Sequence, residues 1–180
     1  MPSYAAFLRG INVGGHRVSS DELRSCFAEL GFERVATFRA SGNVVFDAEG
    51  EEVADLAARI EEALAGALGY AVPTFLRTAA EVRAIARHRP FADDLVDASA
   101  GKLQVSFMLK PPASRMRKEI LALATGEDRL AIKGREVYWL PSGRMLDATI
   151  DLDALDRAIG PTTRRTKSMV EEIAAKHFSG

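Results

Sequence analysis

Apolar residues along this chain switch between strand and helix periodicity in a fixed order, and that order occurs twice. Residues 4–11 read as a strand running into a glycine-rich loop that reaches Ser19. Ser19 and Glu22 have capping-box spacing, and Val18 is placed to staple onto Leu23. Leu23, Cys26, Phe27 and Leu30 then share one helical face, which Gly31 closes. Residues 35–40 and 43–47 read as short strands around Ser41-Gly42, a hairpin signal. Residues 51–68 form a long helix with Val53, Leu56, Ile60 and Leu64 on its apolar stripe, and Gly69 ends it. Residues 72–77 are a fourth strand. Thr78 with Glu81 repeats the capping box before a helix to His88, which Pro90 stops.

The second half repeats this order. Leu103, Val105, Phe107 and Leu109 alternate as a half-buried strand does. Pro111-Pro112 opens a helix through Ala124. Residues 129–133 and 136–140 are strands around Gly134-Arg135; Tyr138 and Trp139 alternate, placing one in the core and the other at the surface. A short helix over 151–159, a short strand from Thr162 to Arg164 and a last helix over 166–177 complete the series. The expected class is α+β: two linked ferredoxin-like (βαββαβ) subdomains with mostly antiparallel sheets. The first spans residues 1–89, a linker 90–101, and the second 102–180. The repeat is one of element order, without a convincing residue-level match between the halves.

Composition narrows the function classes. The 180 residues carry 24 basic and 25 acidic side chains, a net charge of −1, which speaks against a strongly basic, sequence-independent nucleic-acid binder. One cysteine excludes an internal disulfide and a multi-cysteine metal site. Cys26 reads as a small, buried core residue. No two histidines share a helix at ligand spacing, so neither a metal nor a cofactor is expected. The chain start has no basic segment ahead of an apolar run, and the longest uncharged stretch, residues 63–76, falls short of the ~20 residues of a membrane span. A cytoplasmic protein without a membrane partner is therefore expected.

Topology selects the candidate site. In a βαββαβ sheet the loop after strand 1 and the hairpin between strands 2 and 3 lie at the same end. Arg9, Gly10, Asn12, Gly14 and Gly15 should therefore meet Ser41 and Asn43. Closely spaced glycines allow left-handed backbone and exposed N–H groups that form an anion nest, and Arg9 adds charge. The competing reading is a pair of turns that need glycine and asparagine for shape alone. The loop matches neither a Rossmann fingerprint nor a P-loop. Arg164, Arg165 and Lys167 form the densest basic run; Arg164 is a further candidate for ligand charge, against the alternative of a solvated helix entry.

The stretches Leu8-Arg9-Gly10-Ile11-Asn12-Val13-Gly14-Gly15 and Ser41-Gly42-Asn43-Val44-Val45-Phe46 together resemble the bacterial domain-of-unknown-function family 1697. Arg89-Pro90-Phe91 and Thr162-Thr163-Arg164 extend the resemblance over nearly the whole chain. It implies two linked ferredoxin-like subdomains and a site location, without a reaction. Arg165-Thr166 depart from the Asn-Trp that typically follows in the family. The preferred function is binding of a small anionic or phosphorylated ligand. The alternatives are an RNA-binding module, for which the second hairpin strand offers only Phe46 as a stacking aromatic, and a hydrolase or transferase, for which no nucleophile–base pair is visible.

Overall fold

The structure is a computed structural model, and it describes residues 1–39 and 42–180. Strand β1 (Ser3–Leu8), helix α1 (Ser20–Glu29), strands β2 (Glu33–Thr37) and β3 (Asn43–Asp47), helix α2 (Val53–Leu68) and strand β4 (Thr74–Thr78) follow one another, with helix α3 (Ala79–Arg87) after them. The second series is β5 (Gln104–Met108), α5 (Ser114–Ala122), β6 (Arg129–Lys133), β7 (Glu136–Leu140), α6 (Leu152–Ile159) and β8 (Thr162–Thr166), closed by α7 (Lys167–His177). Between the two series lies the short helix α4 (Asp93–Ala98). Each series makes one four-stranded sheet, ordered β2-β3-β1-β4 and β6-β7-β5-β8, with antiparallel neighbours throughout.

Local chemistry sets the element boundaries. Ser19 caps α1 through a reciprocal box: its Oγ accepts from Glu22 N at 3.1 Å, and Glu22 Oε2 accepts from Ser19 N at 2.7 Å. Thr78 and Glu81 do the same for α3. Asp151 caps α6 by accepting from Ala154 N. Gly69, at φ 80°, ends α2 with its N–H on Ala65 O.

The chain divides into two compact units, Met1–Ile85 with Ile173–Gly180, and Ala86–Glu172. Residues 90–101, expected as a linker, therefore belong to the second unit and contain α4. That segment is tightly held. Ser99 Oγ donates to Pro141 O, and a Cβ on Gly101 would lie 2.3 Å from Gly143 O.

The core of the first unit packs Tyr4, Leu8, Val44 and Phe46 of the sheet against α1 and α2. Phe46 stacks on Phe32 at 4.6 Å and meets the edge of Phe27 at 5.3 Å. Cys26 is only half-buried, packed at the margin of this core, and burial with nearby Glu29 pushes its thiol up. Every residue of β5 is buried, so the half-buried strand expected there has both faces inside, while Leu109 is exposed. Tyr138 and Trp139 are both buried as well, because β7 is likewise buried on both faces. Trp139 joins Met108, Ile120 and Leu155 in the second core.

The register reveals a residue-level repeat that the linear comparison misses. Arg77 lies opposite Ala5, and Arg165 opposite Val105, each paired with a residue of its sheet's β1 or β5 strand. Both arginines are buried, and each donates to the preceding carbonyl, Leu76 O or Arg164 O, at 2.8 Å. Thr74 and Thr162 precede them by three residues; Thr78 and Thr166 follow, and each accepts from the third residue beyond it, Glu81 N or Met169 N. Burial brings the Arg165 guanidinium down to about 10, which still leaves it charged at neutral pH.

Asp128 is the polar hub of the second unit. Its carboxylate accepts from Trp139 Nε1 at 3.0 Å, Ser142 N at 3.3 Å, Thr149 N at 2.7 Å and the Thr149 hydroxyl. Burial alone would raise its pKa, but these bonds outweigh burial and hold the carboxyl below its usual value. A depressed carboxylate contributes stability above its unfolded value, ~3.9, and loses it as pH falls through the folded value. Asp128→Asn is expected to cost about 1–3 kcal/mol at neutral pH, with the gap to wild type narrowing below pH ~4. Urea unfolding of both proteins across that range measures it, and a pH-independent gap would contradict the assignment.

Candidate functional site

The loop after β1 is joined to the β2–β3 hairpin by backbone. Leu8 N–H donates to Gly42 O at 2.8 Å, and Arg9 N–H to Pro73 O at 3.0 Å. Gly42 has φ 72°, and a Cβ there would lie 3.2 Å from Leu8 Cβ and 3.3 Å from Ile11 Cβ. The left-handed conformation favours glycine at this position, and the close contacts reinforce it. The topological expectation that loop and hairpin share one sheet end therefore holds. Ser41, the hairpin candidate, lies outside the described residues.

The asparagines serve the scaffold. Asn43 is 1% exposed and donates from Nδ2 to Phe38 O at 3.0 Å, while Phe38 N–H donates to Asn43 O. Its amide closes the hairpin from inside, in place of the ligand-facing role expected for it. Asn12 takes φ 58°, and its Oδ1 accepts from Val18 N at 2.8 Å, bracing the loop where it returns toward α1. Ile11 and Val18 are buried and anchor the two ends of the loop.

What faces outward is backbone and cation. Gly10, Gly14 and Gly15 have φ of 77°, 58° and 92°, and a Cβ built on any of them meets no atom within 4 Å. Their constraint is conformational rather than steric. Among the described residues, the N–H groups of these three glycines have no protein acceptor. Arg9 and Arg17 are exposed, and no acidic residue precedes Asp21 in the sequence. The His16 ring lies 3.8 Å from that of Tyr70 and pins the tip of the loop. The Tyr70 hydroxyl is buried without a hydrogen-bond partner among the described residues.

Arg164 belongs to the second unit and is engaged there. Its guanidinium sits 5.3 Å from the Trp139 ring centroid and donates to Asp156 Oδ1 at 3.0 Å and Ser106 Oγ at 3.2 Å. The basic run around it is no solvated helix entry. Arg165 and Lys167 are buried, and the Thr166 hydroxyl supplies the cap by accepting from Met169 N. A lysine at a helix start ordinarily reads as exposed, so nothing in its local sequence marks Lys167 as buried. Phe46, the aromatic on which an RNA module would depend, is in the core of the first unit. No group of side chains with metal-binding potential occurs among the described residues. Among the same residues, no helix is long and apolar enough to cross a membrane.

A family model described as a protein of unknown function, DUF1697, matches residues 1–138. The chain belongs to the DUF1697 family. The matched span includes the glycine loop, the hairpin strand after Gly42 and Arg89-Pro90-Phe91. Among solved structures, the conserved bacterial protein SP0830 from Streptococcus pneumoniae is similar at a TM-score of 0.80 and 19% identity, over 99% of each chain. At that identity the likeness establishes the fold alone. No curated protein matches.

For this DUF1697 chain, Asn12→Ala is expected to cost about 1–2 kcal/mol, combining the lost Val18 bond with a left-handed backbone that alanine resists. Asn12→Gly relieves the backbone but not the bond, so it should cost less. Chemical denaturation of the three proteins ranks them, and equal stability of all three would show that the side chain does not brace the loop.

Proposed function

We propose that this DUF1697 protein binds a small anionic or phosphorylated ligand on the glycine loop of its first unit, with Arg9 as the principal cation. The observation that supports the reading is the set of outward, left-handed glycines whose N–H groups lack protein acceptors among the described residues, beside exposed Arg9 and Arg17. Unsatisfied N–H groups on such a turn make a nest for an oxyanion, and a flexible guanidinium at its rim adds a charge-assisted bond. Asn12 and Gly42 act through the loop's shape, and Asn43 holds the hairpin beneath it. A small ligand suits this setting better than RNA, given a net charge of −1 and a core-bound Phe46.

The test is thermal stability of the full chain with and without phosphate or sulfate. Wild type is expected to gain about 2.7 kcal/mol at a ligand concentration near 100 times its dissociation constant. Arg9→Ala should fold as well as wild type, since the side chain is exposed, and lose most of that gain. Gly14→Val should also lose it while keeping Arg9, because a β-branched residue resists the φ of 58° found there. If wild type and Arg9→Ala respond identically, the glycines are structural and the reading fails.

A further inference from the structure

The second unit contains a cavity of ≈ 430 Å³, within the roughly 300–1,000 Å³ typical of small-molecule sites. All its lining residues fall within Ala86–Glu172, whereas the glycine loop belongs to the first unit. Pro90, Phe91, Val96 and Leu103 supply apolar wall. The polar element that distinguishes it is Lys167, which opens α7, lines the cavity and is only 4% exposed.

Lys167 Nζ donates to Ala86 O at 2.9 Å and to Glu171 Oε1 at 2.7 Å. An ammonium has three N–H donors, so one is left without a protein acceptor among the described residues. Ser168 also lines the cavity, and its backbone N–H lacks an acceptor among the described residues. The neighbouring donors are spoken for: Lys167 N bonds Leu103 O, and Met169 N bonds the Thr166 hydroxyl. Two donors therefore remain on adjacent residues, at the positive end of a helix of 11 residues.

The charges around the cavity select the ligand. Arg89, Lys102 and Lys167 are matched by Asp93, Asp97 and Glu171, so the lining carries no net charge. Glu171 is shared by Lys167 and by Arg89, whose Nη1 lies 3.4 Å away, and Arg89 Nε is 3.8 Å from Asp93. A dianionic phosphate would meet this lining with three carboxylates and no surplus of cations. A monocarboxylate needs only the two remaining donors. Burial pushes the Lys167 amine below the ordinary lysine range, with Glu171 pulling it back, and a bound carboxylate would favour the charged form further.

We propose that this cavity binds a small monocarboxylic acid with an apolar body, its carboxylate on Lys167 Nζ and the first turn of α7 and its body against Phe91, Val96 and Leu103. The experiment titrates the full-length protein with naphthoate, neutral naphthamide and dianionic naphthyl phosphate, by calorimetry and two-dimensional amide NMR. Naphthoate should bind about tenfold or more tightly than either analogue, the scale of a lost charge-assisted hydrogen bond, and shift the Lys167 and Ser168 amides. Lys167→Met should erase the preference for the acid over the amide. Val96→Trp crowds the cavity from its apolar wall while keeping the lysine in the sequence and should abolish binding, which keeps the test intact if Lys167→Met fails to fold. Equal binding of the three compounds, shifts that map to other residues, or no naphthoate binding at millimolar concentration would each overturn the proposal.

Discussion

Leu8 donates its backbone N–H to Gly42, and the candidate site exists because these two stretches of main chain come that close. The approach is tight at residue 42, where a Cβ would crowd Leu8 at 3.2 Å and Ile11 at 3.3 Å. It also sets where β1 stops, since the chain beyond Leu8 turns into the loop instead of extending the sheet. From there the loop is held at both ends by buried Ile11 and Val18, and across its base by the Asn12 side chain. Among the described residues, Gly10, Gly14 and Gly15 keep N–H groups without protein acceptors, of the kind an oxyanion accepts.

The second unit is organised by buried charge. Asp128 gathers an indole, two backbone N–H groups and a hydroxyl around one carboxylate, tying β7 to the loop before α6. A buried carboxylate is tolerable only with that many donors, which is why its pKa falls despite burial. Lys167 is treated in the same way, with Glu171 and a carbonyl on its ammonium, but among the described residues one of its donors is left over. That difference separates a structural charge from a candidate binding group.

Much of the fold was legible. The helix caps at Ser19 and Thr78, the hairpin strands and the βαββαβ order all follow from patterns a few residues long. The site was legible only in part. Glycine spacing located the loop, and topology brought the hairpin beside it, but Asn43 carries the same residue type whether its amide faces a ligand or closes a turn. Arg164 was misleading for a similar reason: an arginine in a basic run looks available until Trp139, Asp156 and Ser106 are seen around it. Segment 90–101 lacks strong periodicity because α4 has no buried residue, so its helix left little trace.

The sequence by itself determined the element order, the caps and the glycine turns, because each depends on neighbours within one or two turns of chain. Tertiary structure alone decided which polar side chains go inside. Asp128 meets Thr149, 21 residues on, and Lys167 meets Ala86, 81 residues back. The repeated pair Arg77 and Arg165 became visible only through strand register, since the threonines and arginine that match are surrounded by unlike residues. Burying a charge is favourable only when distant donors or acceptors converge on it, and that convergence is a property of the folded chain.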